Sequence, residues 1–232
     1  MSYCPTSYRT SCQTSWVIRP SQKNDLAPIS RVFLIGFSQS VAHYVGGHTS
    51  GIERAVQDVF TAIWEHEPDC MLVADANGKI LGYIIAVPNM SRFWWHVIKG
   101  GYWWHWARRW LQGDYGLGLR EVTNLARNKL GFASAQIQLQ QKIPRFRGQP
   151  AQVLSIAVHP SCRGQGIGGS LLQAALTYLT TTTASYVKLE VRPDNPSARR
   201  LYESAGFKAV STTYDSQGPW HVMLKNLGMT KE

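Results

Sequence analysis

One stretch of this chain admits few structures. From Val153 to Leu172 a short apolar run gives way to a glycine-rich turn and then to a second apolar pattern. Val153, Leu154, Ile156 and Val158 read as a strand that ends at His159-Pro160, where proline has no N–H for a ladder. Ile167, Leu171, Leu172, Ala175, Leu176 and Leu179 recur three and four residues apart, the spacing of one helical face. Between them lie Arg163, Gly164, Gln165, Gly166, Ile167, Gly168 and Gly169. Glycine lets backbone approach a ligand closely and turn its N–H groups outward, so this segment reads as an anion cradle at a helix N-terminus.

The spacing narrows which anion it suits. A Walker P-loop needs Gly-Lys-Ser/Thr after the fourth intervening residue, and no such lysine occurs here. Gly164, Gly166 and Gly169 overlay a dinucleotide turn, but Glu190 falls later than a ribose-binding acid would and lies inside an apolar strand. Arg163 to Gly168 fits R/Q-x-x-G-x-G/A instead.

The rest of the chain supplies the elements around that centre. Trp16 to Arg19 reads as a first strand, and Asn24 or Asp25 as the cap of a helix carrying Leu26, Ile29, Val32, Phe33 and Phe37. After a polar link from Gly46 to Gly51, the residues Ile52, Val56, Val59, Phe60 and Ile63 mark a second helix, closed by Pro68. The runs 70–75 and 79–87 flank Asn77-Gly78 and predict an antiparallel hairpin. Downstream, 186–192 is a strand, Asn195 and Pro196 start a helix through Leu201 and Tyr202 to Gly206, and 207–213 and 220–225 are final strands.

Between hairpin and central strand lies a long intervening segment, about 91–149, with ten basic residues against Asp114 and Glu121, a net of eight out of the chain's +10. Trp94, Ile98, Tyr102, Trp106 and Trp110 fall four apart, an aromatic stripe if Gly100-Gly101 does not break the helix. A second helix is predicted through Leu119, Val122, Leu125, Ala126 and Leu130. The stripe suits a core against the domain or a second subunit, giving a homodimer, or a wall of an acceptor site. After these comes an interfacial membrane helix, with nucleic acid as another anionic partner.

At 232 residues, with 44% hydrophobic and 16% charged, the chain suits one globular domain over 15–232, preceded by a disordered tail at 1–14. That start is Ser/Thr-rich with Arg9 its only charge and has no apolar signal core; a plastid-type leader is the alternative to a simple tail. Cys4, Cys12, Cys70 and Cys162 are scattered without metal-ligand spacing, so a reducing, cytoplasmic setting and no metal are expected. No run reaches the length of a membrane span, which leaves peripheral attachment as the membrane option.

A second motif joins the first. Leu189-Glu-Val-Arg-Pro-Asp-Asn195 leads into Leu201-Tyr202 and Ala205-Gly-Phe207, and with the glycine turn before it the chain resembles the GCN5-related N-acetyltransferase family. In its motifs it is most similar to the bacterial ribosomal-protein alanine N-acetyltransferases. The resemblance implies an α/β (α+β) fold with a mixed, mostly antiparallel sheet. It implies acetyl-coenzyme A as acyl donor, an amine of a protein or a small molecule as acceptor, and direct transfer in a ternary complex. Backbone groups of Ile156, Ala157 and Val158 would hold the pantetheine, and the turn from Arg163 to Gly169 the pyrophosphate. Asn195 would bond the cofactor, Tyr202 would protonate the departing sulfur, and Glu190 would act as base. His159 and Cys162 read as ordinary turn residues. A non-catalytic acyl-coenzyme A binding module, docking to RNA or membrane, is the alternative from another class.

Overall fold

The computed structural model describes residues 15–47, 49–123 and 150–228. Seven strands form one sheet in the order β1-β2-β3-β4-β5-β7-β6. They are β1 (Val17–Pro20), β2 (Met71–Ala76), β3 (Lys79–Val87), β4 (Ala151–Val158), β5 (Tyr186–Val191), β6 (Lys208–Asp215) and β7 (Gly218–Asn226). Every neighbouring pair is antiparallel except β4 with β5, so the sheet is mixed and mostly antiparallel, as expected.

Helices α1 (Leu26–Gly36), α2 (Ser38–Val45) and α3 (Ser50–His66) precede the hairpin, and α4 (Met90–Lys99) and α5 (Tyr102–Leu111) follow it. The helix after the glycine turn is α6 (Ile167–Thr180), and the one opened by Asn195 is α7 (Pro196–Ser204). The single helix predicted over Leu26 to Phe37 ends at Gly36, and a separate α2 follows that the sequence pattern did not reveal. Asp25 does not cap α1; its carboxylate accepts from the Gln22 N–H at 2.7 Å and pairs with Arg19. The predicted tail at 1–14 lies outside the described residues, as does most of the helix predicted through Leu130.

Two apolar layers cover the two faces of the sheet. Leu72, Ile84, Val187 and Leu189 pack with all six periodic residues of α6, and each leucine, isoleucine or valine among them is worth about 1.5–3 kcal/mol on burial. On the other face Val73, Tyr83 and Ile85 pack with Leu26, Ile29, Phe60 and Ile63 of α1 and α3. Coverage on both sides explains why β3 is apolar without alternation, buried from Ile80 to Val87. Asn77 and Gly78 both take positive φ, 53° and 86°, the geometry a two-residue hairpin turn needs.

The aromatic stripe divides at the glycine pair. Gly101 adopts φ 70°, α4 stops at Lys99, and α5 starts at Tyr102. Phe93 and Val97, with Tyr102 and Trp106 beside them, face the α1 and α3 layer, while Trp94 and Ile98 turn outward. Arg109 anchors α5 by reaching Asp58 of α3 at 2.8 Å and Asp114 at 2.9 Å, and the Tyr115 hydroxyl donates to the same Asp58 at 2.6 Å.

Candidate functional site

The site begins where the sheet comes apart. β4 and β5 are in register only at Ala151 with Val187 and Gln152 with Lys188, whereas β3 follows β4 to Val158. From Val153 onward the β5 side of β4 therefore presents backbone N–H and C=O groups that have no ladder partner among the described residues. Ile156, Ala157 and Val158 lie on this open limb. A register shift between Val153 and Ser155 leaves Leu154 as an extra residue opposite β3. Such a bulge bends a strand and increases its twist, and it sits where β4 leaves β5. Behind it, the Tyr83 hydroxyl and Ser155 Oγ lie 2.6 Å apart in the interior, and burial raises the tyrosine's pKa.

The glycine turn continues that limb. Gly164 and Gly166 both have φ 79°, and a Cβ at either would meet nothing within 4 Å, so the space in front of them is open to a ligand. The first bond of the α6 ladder runs from Ser170 N to Gly166 O at 3.1 Å, leaving the N–H groups of Ile167, Gly168 and Gly169 at the helix start for an anion. Gly168 and Gly169 also face α7. Cβ atoms there would lie 3.5 and 3.7 Å from the methyls of Leu201, so α7 rests on the start of α6. Arg163 is exposed and donates from Nε to Val158 O at 3.3 Å, which folds the guanidinium back over the end of β4. Gln165 is exposed at the crest of the turn.

The other limb is β5. Glu190 lies two residues past the last register with β4, and its Oε1 is 2.8 Å from Lys188 Nζ on the same face. Tyr202 of α7 is buried to 6% exposure in the layer with Leu189 and Val191, its ring 6.1 Å from Phe207. Desolvation pushes its hydroxyl up to about 12, which holds it protonated at neutral pH. Asn195 Oδ1 accepts from Ala198 N at 3.1 Å and caps α7, so its side-chain amide N–H groups are what it can offer a ligand. His159 Nδ1 lies 2.7 Å from Ser161 Oγ inside the turn.

Two further features escaped the sequence pattern. One is the bulge at Leu154. The other is the tie between α2 and the β6–β7 turn: Ser40 Oγ donates to Gln217 at 2.9 Å, His43 lies 3.0 Å from Ser216, and the Tyr44 hydroxyl donates to Asp215. Burial and the neighbouring carboxylate raise the pKa of Tyr44. No short-range signal announces a contact across more than 170 residues.

Comparison with known proteins agrees with this geometry. Residues 103–207 match the model of the Acetyltransferase (GNAT) family. An uncharacterized N-acetyltransferase of Methanocaldococcus jannaschii is 40% identical over 146 residues, 62% of this chain and 56% of the relative. A [ribosomal protein bS18]-alanine N-acetyltransferase of Salmonella typhimurium is 28% identical over 114 residues, 49% of this chain and 71% of that protein. The chain covers between 18% and 56% of the length of the first three curated relatives. Among solved structures, yncA of Salmonella typhimurium, a putative acetyltransferase determined with its cofactor acetyl-CoA, shares the fold. Its TM-score is 0.53 at 18% identity, covering 94% of this chain and 96% of that one.

Proposed function

We propose that this chain is an acetyl-coenzyme A-dependent N-acetyltransferase acting on an amine, with a protein N-terminus as the favoured acceptor. The observation that carries the reading is the parting of β4 from β5 after Gln152 on a limb that runs straight into the glycine turn. A long, thin ligand with an anionic end suits this arrangement: amide groups pair along the open edge as an added strand would, and the pyrophosphate meets the N–H groups before α6. The fit is supported by the open space in front of Gly164 and Gly166, which any side chain would intrude upon. Arg163 supplies a nearby cation.

Bound acetyl-coenzyme A supplies a thioester carbonyl open to attack by an amine. The chain's own groups have three tasks. Ile156 to Val158 position the donor through backbone bonds. Glu190, on the facing limb, receives the proton that the amine loses, directly or through water. Tyr202, still protonated, donates to the departing sulfur. Transfer is direct: His159 is engaged with Ser161, Cys162 Sγ meets that same hydroxyl at 3.5 Å, and among the described residues no base contacts the thiol itself as an acyl-enzyme route would need.

The preference for a protein N-terminus rests on motif similarity to the ribosomal-protein acetyltransferases. Release of the coenzyme A thiol, followed over peptides with a free N-terminal alanine, peptides with lysine only, and small polyamines, tests it. Turnover fastest with the N-terminal peptides is expected. Tight acetyl-coenzyme A binding without thiol release on any amine would overturn the enzyme reading in favour of a binding module.

A further inference from the structure

The outer face of α4 and α5 has no task in the proposed chemistry. Both helices turn Phe93, Val97, Tyr102 and Trp106 toward the α3 side, so their opposite faces look away from the domain. Those faces expose Trp94 (48%), Trp95 (59%), Trp103 (54%) and Trp104 (61%), with Ile98 (56%) and Leu111 (75%) beside them. Isolated exposed apolar residues are ordinary, but four exposed tryptophans on two helices in contact with each other are not. The two helices themselves carry charge of one sign, and the Glu65 carboxylate of α3 lies on their inner side against the Tyr102 hydroxyl. No acidic residue occurs between Asn89 and Gln112, while Arg92, Lys99 and Arg108 are exposed around the tryptophans. Lys99 Nζ stands 4.8 Å from the centre of the Trp95 ring. Arg109 is the exception, since Asp58 and Asp114 neutralise it on the inner side.

We infer that this face docks on an anionic lipid bilayer, with α4 and α5 lying in the interface. Tryptophan rings sit well at headgroup depth, and lysine and arginine reach the lipid phosphates and carboxylates around them. Each helix has 10 residues, about 15 Å at the α-helical rise, far short of the hydrocarbon core, so attachment is peripheral. Two other occupants fit less well. A second copy would bring cations against cations. Single-stranded nucleic acid would stack on the indoles, but Ile98 and Leu111 offer aliphatic bulk with no ring for a base to stack on. The inference does not depend on the catalytic reading, because none of these residues belongs to the proposed site.

Flotation of the full chain with vesicles tests it, comparing phosphatidylcholine alone with phosphatidylcholine containing phosphatidylserine at low salt. Three surface cations favour the anionic vesicles by on the order of a hundredfold, and added salt should erase most of that preference. Brominated lipid should quench tryptophan emission in the bound state. The combined variant W95S, W103S and W104S, altered only at exposed positions, should keep its fold by circular dichroism and lose flotation. Equal partition into both vesicle types would overturn the inference. So would a concentration-dependent dimer that the triple variant abolishes, or binding to a single-stranded RNA oligonucleotide with no flotation.

Discussion

Lys188 is the last β5 residue in register with β4, and its ammonium lies 2.8 Å from the Glu190 carboxylate two positions further along the same face. The lysine side chain is 7% exposed and the glutamate 20%. A buried ammonium needs a counter-charge, so the pair fixes the carboxylate beside the opening between the strands. One residue thus neutralises an interior charge and, in the proposed mechanism, takes the proton.

Replacing Glu190 by Gln should lower kcat by about 10²–10⁴-fold, the range of a general base, with acetyl-coenzyme A binding retained. The deficit should shrink as pH rises, because the amine then arrives already deprotonated. Steady-state kinetics between pH 7 and 10 with calorimetric binding check this; an unchanged kcat at pH 7 would remove Glu190 from the base role.

Tyr202→Phe keeps the ring that packs on Phe207 and deletes the hydroxyl alone. Thiol release should fall about 10²-fold while melting changes little. In the unaltered protein the phenol, raised to about 12 by burial, should cause no loss of rate between pH 8 and 10. A tyrosine near its usual value of about 10 would already be titrating there. A descending limb in that window that disappears in Tyr202→Phe would contradict the burial argument.

The glycines of the turn should separate into two groups. Gly166 has φ 79°, where a side chain costs about 1–2 kcal/mol, so Gly166→Ala should raise the KM for acetyl-coenzyme A and lower stability. Gly168→Ala places its methyl 3.5 Å from Leu201, an ordinary contact, and should leave stability nearly unchanged. Denaturant melts and KM values for the two variants decide the matter; equal behaviour would mean that backbone conformation is not what selects glycine here.

The seat of α4 on α3 should be acid-sensitive. His66 lies 4.9 Å from His96 and 5.9 Å from Phe93, and burial, together with His96, holds its pKa below the usual value. Glu67 opposes that shift and Arg92 adds to it. A depressed value means that the unfolded chain binds the proton more readily. The stabilisation is therefore complete above about pH 6.5 and fades as pH falls from there toward the depressed value. The melting temperature should drop between pH 7 and 5, and His66→Gln should flatten that slope; parallel slopes would assign the acid loss to other groups.

Much of the architecture was legible because short-range patterns state it. Six apolar positions at helical spacing in α6 are all buried, Asn77-Gly78 makes the hairpin, and Asn195 with Pro196 opens α7. Other features were not. Gly36 ends α1 and a new helix follows, whose Ser40 and Tyr44 find their partners, Gln217 and Asp215, far along the chain. The aromatic stripe at intervals of four was a true periodicity but did not describe one face, since Gly101 in the left-handed region restarts the helix.

The glycine turn between an apolar strand and an apolar helix was determined by the sequence alone. Strand, turn and helix are set by neighbours within a few residues, and positive φ is what glycine permits. Whether that turn closes an opening was decided only in three dimensions. The bulge at Leu154, the end of pairing at Gln152 with Lys188, and the placing of Glu190 on the facing limb depend on register between strands distant in sequence. Register is settled by packing of two sheet faces at once, and no local pattern carries it.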